Sequence, residues 1–204
     1  MGNLRSVSKA FEHLGADVRV TSRPEDISQA RKLVLPGVGA FEDGMEGLRR
    51  FNLTDPLKDY LRSAVRPFLG ICLGLQLLFE TSEESPGAEG LGIIPGKVKG
   101  FRSSGVKIPH MGWNQITAFA RHPLFEGVAQ NSFFYFVHSF FGVPNDPGAV
   151  VATCRYGADD FPAAVGFGAA VATQFHPEKS QDAGLLLLKN FIRWNPASVL
   201  TPKP

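Results

Sequence analysis

The chain has 204 residues, enough for one self-sufficient domain, and its 44% apolar and 20% charged content excludes a wholly disordered protein. Its 21 Lys and Arg against 19 Asp and Glu leave a net charge of +2, with no basic stripe of the kind that nucleic-acid binding requires. No apolar run approaches the ~18 residues of a membrane span, the first residues lack the apolar stretch of a secretory signal, and two cysteines, Cys72 and Cys154, make no disulfide framework, so a soluble, reduced, cytoplasmic protein is expected.

Leu4, Val7, Phe11 and Leu14 recur at helical spacing and Gly15 is a fitting stop, which predicts a first helix. Residues 18–20 and 33–35 read as short strands, with a helical pattern over 26–31 between them. Pro36-Gly37-Val38-Gly39 then breaks the chain. Residues 44–50 and 55–65 read as helices, the second with Pro56 in its first turn. A strand over 68–71 and a helix over 73–80 follow. This alternation predicts an α/β fold with a mostly parallel central sheet flanked by helices. From about residue 90 the pattern changes to short apolar runs divided by Gly and Pro: 97–101, 113–117, 133–137, 150–153, 163–167 and 169–175. These predict an additional antiparallel strand region. A last amphipathic helix over 181–194 closes a single domain, residues 1–194. The tail, residues 195–204, carries three prolines and is expected to be loose. Glycine and proline, 22 and 15 in number, exceed the average share of roughly 12% and point to many tight turns.

Gly70-Ile71-Cys72-Leu73-Gly74 lies between a predicted strand and a predicted helix. This is the thiol form of a nucleophile elbow: the glycines allow a sharp turn that lifts one strained residue to its tip. The N–H groups that open the following helix would favour a thiolate at Cys72, and the Leu73 N–H could serve an oxyanion. A buried structural cysteine is the competing reading. Cys154 has no such surroundings and is expected to be structural.

A thiol nucleophile needs a base, and the base needs an orienting group. Of the five histidines, His176 stands out in His176-Pro177-Glu178, after the last predicted strand. Pro177 biases His176 toward an extended backbone, so Glu178 could hold the imidazole; a solvated turn is the alternative. The Gly-rich loop after residue 35 could present backbone N–H groups to an anion or be a simple turn. It is no dinucleotide fingerprint, because position 42 is Glu. The His and Cys positions lack metal-ligand spacing, so neither metal nor cofactor is expected.

Taken together, these segments resemble the class I (triad) glutamine amidotransferases, and most closely the glutaminase subunits of imidazole glycerol phosphate synthase. The segments that carry the resemblance are Met1-Gly2-Asn3-Leu4-Arg5-Ser6-Val7, Leu35-Pro36-Gly37-Val38-Gly39-Ala40-Phe41, residues 69–76, Pro109-His110-Met111-Gly112-Trp113-Asn114, Tyr135-Phe136-Val137-His138-Ser139 and Gln174-Phe175-His176-Pro177-Glu178-Lys179-Ser180. They span nearly the whole chain.

The resemblance implies that Cys72 attacks the glutamine amide, His176 transfers protons and Glu178 orients His176. It assigns the oxyanion to backbone N–H groups of Leu73 and of the Val38-Gly39 loop, which in such enzymes rearranges before the hole is complete. Gln76, Glu84, His138 and Ser139, with Gly39, match positions that contact glutamine. Lys179 matches a position at the interface with a (βα)8-barrel cyclase subunit, the partner in a heterodimer, and Met111, Trp113 and Asn114 would share that face. Ammonia would pass through the barrel, giving imidazole glycerol phosphate and an aminoimidazole carboxamide ribotide in histidine biosynthesis. Two other readings stay open: a glutaminase serving an anthranilate- or aminodeoxychorismate-type synthase, and a catalytically inactive binding subunit. A cysteine peptidase with a similar elbow is a further, weaker alternative.

The chain departs from the family pattern twice. Position 140 is Phe where the family usually has Tyr. The family's first β-strand, which precedes the Gly-Asn-Leu-Arg-Ser-Val segment, has no counterpart ahead of Met1, and the expectation is an upstream start that would supply it.

Overall fold

A computed structural model describes residues 3–102, 105–119 and 122–196. Met1 and Gly2 of the N-terminal signature, and residues 197–204 of the tail, lie outside the described residues. Six helices are present among them: α1 (Leu4–His13), α2 (Pro24–Gln29), α3 (Phe41–Arg50), α4 (Thr54–Ser63), α5 (Leu73–Gln76) and α6 (Gln181–Arg193). Ten strands accompany them: β1 (Leu33–Gly37), β2 (Phe68–Cys72), β3 (Phe79–Ser82), β4 (Ile94–Gly100), β5 (His110–Phe119), β6 (Phe133–His138), β7 (Phe140–Pro144), β8 (Val150–Tyr156), β9 (Asp159–Phe167) and β10 (Ala170–Thr173).

Seven strands form one sheet in the order β1-β2-β10-β9-β8-β5-β6, and β3-β4-β7 form a second, smaller one. The α/β class is as expected. In the larger sheet the parallel part is the trio β1, β2 and β10, and the expected additional antiparallel strands continue it through β9, β8, β5 and β6, while in the smaller sheet β4 runs parallel to β3 and antiparallel to β7. Alternation along β2 explains the two cores. Leu69 and Ile71 face one side, with Phe11, Leu187 and Phe191 from α1 and α6. Phe68 faces the other, with Met45, Leu57 and Tyr60 from α3 and α4. Successive strand side chains point to opposite faces, so a strand covered on both sides reads as a continuous apolar run.

Three local expectations differ from the structure. Residues 18–20 form no strand. A strand requires a ladder partner, and β1 is paired only with β2 among the described residues; Leu33, Val34 and Leu35 stay half-buried. The predicted helix over 73–80 stops after one turn, at Gln76, and the chain re-extends as β3. The reason is tertiary: Leu78 and Phe79 are fully buried, and backbone groups of residues 77–80 bond to the 90–94 segment. Finally, β7 runs against β4 in a stretch where no strand was predicted.

Among the described residues no helix is long and apolar enough to cross a membrane.

Candidate active site

β2 ends at Cys72, where the chain turns directly into α5. Cys72 has φ 55° and ψ −109°, a region that side chains rarely adopt and that costs about 1–3 kcal/mol. Packing enforces this turn. A Cβ on Gly74 would stand 1.9 Å from the Leu35 carbonyl oxygen, and one on Gly70 would stand 2.8 Å from the Ala172 Cβ. The two glycines let the turn of α5 press onto β1 and β10, which lifts the sulfur to the carboxyl end of the parallel strands. That end is where α/β sheets place their ligands. Cys72 is only 7% exposed.

The candidate base, His176, lies in the chain just after β10. His176 is fully buried, and its Nδ1 lies 2.8 Å from Oε1 of Glu178, itself buried at the side chain. The segment is held from three sides. The His176 N–H donates to the Tyr135 carbonyl at 2.9 Å. Ser180 Oγ donates to the His176 carbonyl at 2.6 Å and accepts from the Tyr135 N–H at 3.0 Å. Gly184 of α6 lets the helix press on the loop, since a Cβ there would meet the Pro177 oxygen at 1.9 Å. Nε2 of His176 is the nitrogen left for Cys72, since Glu178 holds Nδ1. Burial opposes charging of this imidazole, but hydrogen bonding and Coulombic attraction from Cys72 and Glu178 outweigh it and raise its pKa to about 9. An imidazolium formed here is thus stabilised between the thiolate that Cys72 becomes on losing its proton and the Glu178 carboxylate.

The other predicted residues divide into those the structure gathers here and those it does not. Leu73 is the first residue of α5 and buried. The loop of Val38 and Gly39 follows β1; Gly39 has φ +101°, Val38 is exposed, and the adjoining Gly37 packs so close that a Cβ would lie 2.8 Å from the Leu73 Cβ. Gln76 is buried and spends its amide hydrogens on the Phe140 carbonyl, 2.8 Å, and on Gln174 Oε1, 3.2 Å. His138 donates from Nδ1 to the same Phe140 carbonyl, 2.9 Å, and pairs through Nε2 with His110 Nδ1, 3.1 Å. Ser139 joins β6 to β7, and its carbonyl accepts from Phe101 N–H. Glu84 makes its bond elsewhere: Oε2 accepts from the N–H of Phe41 at the start of α3, 2.8 Å. Phe at position 140 takes part through its backbone, so the absent tyrosine hydroxyl changes nothing in this network.

Met111 and Trp113 lie exposed on β5 beside exposed Phe133 on β6. Lys179 is exposed with its amine 5.7 Å from the Tyr135 ring centre. Asn114, on the same strand, points inward, with Nδ2 3.2 Å from His110 Nε2 and 2.9 Å from the Arg155 carbonyl. Cys154 is fully buried, and burial pushes its thiol to about 12, consistent with a structural cysteine.

Sequence reasoning gave no role to Asn3, Gln174, Ser180 or Gly184, and His110 entered only with the 109–114 segment expected to contribute to the partner face. Asn3 is buried with Nδ2 3.2 Å from His176 Nδ1. Four of these five, Asn3, His110, Gln174 and Ser180, sit inside segments that carried the resemblance, but no spacing rule separates a polar residue buried at a site from an ordinary turn residue.

Comparison with known proteins agrees with this geometry. The family model of glutamine amidotransferase class-I matches residues 1–194. The chain is 52% identical over 197 residues to imidazole glycerol phosphate synthase subunit HisH of Syntrophotalea carbinolica, covering 94% of this chain and 95% of that protein. It is 49% identical over 202 residues to the HisH subunit of Nitrosococcus oceani, covering 97% and 95%. The fold matches a crystal structure of a glutamine amidotransferase with TM-score 0.70 at 20% identity, over 92% of this chain and 93% of the other. It also matches the glutaminase domain of Trypanosoma brucei CTPS with bound acivicin, TM-score 0.66 at 15% identity, over 95% and 90%. With a strained thiol elbow, a buried His–Glu pair and a family match over nearly its whole length, the chain belongs to the class I glutamine amidotransferases.

Proposed function

We propose that this chain is the glutaminase subunit of an imidazole glycerol phosphate synthase, acting in the cytoplasm with a (βα)8-barrel cyclase as its heterodimer partner. The observation that carries the reading is Cys72, held at a strained φ of 55° at the end of β2, against a His176 whose other nitrogen is fixed by Glu178 at 2.8 Å. The identity to HisH subunits selects histidine biosynthesis among the routes such a site could serve.

In this reading His176 takes the Cys72 proton, and the thiolate attacks the side-chain carbonyl of glutamine. The oxyanion is met by the Leu73 N–H and by a backbone N–H of the Val38-Gly39 loop. The imidazolium then gives its proton to the departing amine. Ammonia leaves and a glutamyl thioester remains. Neutral His176 next takes a proton from water as the water oxygen attacks the thioester; the C–S bond breaks, the sulfur leaves as thiolate, and glutamate forms after its carboxyl proton is lost to solvent. Glu178 keeps Nδ1 protonated and favours the imidazolium in both steps. Gln76, His138 and Ser139 form the glutamine pocket, and Glu84 holds the Phe41 N–H at the start of α3, two residues past Gly39. Gln76 would contribute its carbonyl oxygen, since its amide hydrogens are already engaged.

Ammonia released into bulk water would be protonated and lost as a nucleophile. The thiol therefore has to face a partner. The exposed apolar side chains of Met111, Trp113 and Phe133, with Lys179 at their margin, suit such a docking face; Asn114, turned inward, braces β5 from behind.

The test uses Cys72→Ala in complex with the cyclase. Glutamine-dependent formation of imidazole glycerol phosphate should disappear, while synthesis from added ammonium salt persists. Loss of both activities, or of neither, refutes the assignment.

A further inference from the structure

Gln174 is completely buried, yet it belongs to neither the triad nor the oxyanion loop. A buried amide needs partners for both ends, and the partners of this one are informative. Its Nε2 lies 3.8 Å from Sγ of Cys72, a normal separation for an N–H donor on a sulfur, whose radius exceeds that of oxygen. We propose that Gln174 is a further catalytic residue, whose side-chain N–H hydrogen-bonds the Cys72 sulfur whenever that sulfur carries negative charge. The inference rests on Cys72 being the nucleophile.

The orientation of the amide is fixed by a chain of bonds that begins at a backbone oxygen. The Phe140 carbonyl can only accept. It takes one hydrogen from Gln76 Nε2, at 2.8 Å, which identifies the nitrogen end of the Gln76 amide. The second hydrogen of that nitrogen points to Gln174 at 3.2 Å, so the atom it meets is Oε1. The NH2 end of Gln174 is then left for the sulfur. The same Phe140 carbonyl accepts from His138 Nδ1, which leaves His138 Nε2 as an acceptor for His110 Nδ1–H and His110 Nε2 as an acceptor for Asn114. Burial holds both imidazoles neutral, at about 4 for His110 and about 3 for His138, so each keeps a single tautomer. Buried networks with every member satisfied are rigid. Gln174 is thus braced from behind and presents a fixed donor to the nucleophile.

The chemistry makes use of a donor there twice. The sulfur is anionic before attack, neutral in the thioester, and anionic again as hydrolysis expels it. An N–H aimed at sulfur favours the first and last of these states over the middle one. It therefore supports both nucleophile formation and leaving-group departure.

The experiment alkylates the full-length chain with iodoacetamide at neutral pH and follows Cys72 by peptide mass, with buried Cys154 as an internal reference. Two variants remove the donor. Gln174→Leu removes the whole amide, and Gln174→Glu keeps the shape and an acceptor for Gln76 but has no N–H for sulfur. In each folded variant, checked by circular dichroism, Cys72 alkylation should slow by about tenfold, the factor expected for one hydrogen bond to a charged group. A folded variant that alkylates within about twofold of the wild-type rate overturns the proposal. The unmutated chain gives an independent reading: the side-chain amide proton resonances of Gln174 should shift when Cys72 is methylthiolated, and unchanged resonances overturn the proposal as well. If Cys72→Ala abolishes glutamine turnover while Gln174 variants alkylate normally, this inference alone falls. If Cys72→Ala retains turnover, the functional reading falls with it.

Discussion

Strain at Cys72 makes a reversal of the usual Ala–Gly preference testable. At an ordinary buried position, replacing Ala by Gly costs about 0.5–1 kcal/mol in chain entropy and about 0.8 kcal/mol for the methyl no longer buried, so Ala is favoured by about 1.5 kcal/mol. At position 72 the backbone has φ 55° and ψ −109°, which charges any residue with a Cβ about 1–3 kcal/mol but leaves glycine nearly unstrained. Taking the middle of that range, Cys72→Gly should be more stable than Cys72→Ala by about 0.5 kcal/mol. The assay is urea denaturation of the two variants, read as midpoints at equal m-value. Thermal midpoints should agree in sign, since 1 kcal/mol moves a chain of this size by about 2–4 °C. If Cys72→Ala proves more stable than Cys72→Gly by about 1 kcal/mol or more, the elbow stores no strain and the account of why Gly70 and Gly74 flank the cysteine is wrong. Neither variant carries the thiol, so the comparison is independent of catalysis.

Two further outcomes are expected. Gly74→Ala should destabilise by more than about 3 kcal/mol or prevent folding, because its Cβ would enter the Leu35 carbonyl at 1.9 Å; Gly47→Ala in α3, where a Cβ meets nothing within 4 Å, should instead stabilise by about 0.4–1 kcal/mol. Equal midpoints for the two variants would contradict the packing described for the elbow. Stability should also fall on acidification: burial lowers His110 and His122 to about 4 and His138 to about 3, so the unfolded chain binds more protons than the fold between those values and about 6.5. Their joint contribution, on the order of 3 kcal/mol after discounting for coupling and solvent, is present above pH ~6.5 and lost as pH falls toward 4. His176 has the opposite sign: its contribution, raised to about 9, is full below ~6.5 and lost as pH rises through about 9. Urea midpoints that stay flat from pH 7 to 4.5 would show that these histidines are not buried neutral.

The sequence by itself determined most of the elements and singled out Cys72, His176 and Glu178 as candidates. Helices α1, α3, α4 and α6 were legible because their apolar residues recur at helical spacing, and β2 because a short apolar run is bounded by glycine and a turn signal. Cys72, His176 and Glu178 were legible because an elbow and a His-Pro-Glu turn are local features, each complete within five residues, and the resemblance joined what spacing could not. Tertiary structure decided the remainder. A helix over 73–80 was cut to one turn because burial of Leu78 and Phe79 outweighed helical periodicity, and residues 18–20 formed no strand because no ladder partner meets them among the described residues. Glu84 was drawn to the start of α3 by the Phe41 N–H. The bonds that place Gln174 on the sulfur link residues 72, 76, 138, 140 and 174, which lie on five separate elements: β2, α5, β6, β7 and the segment after β10. Local pattern reports which side chains are buried, but the direction of a buried amide depends on which groups the fold brings opposite it, and that is settled only when the strands are in register.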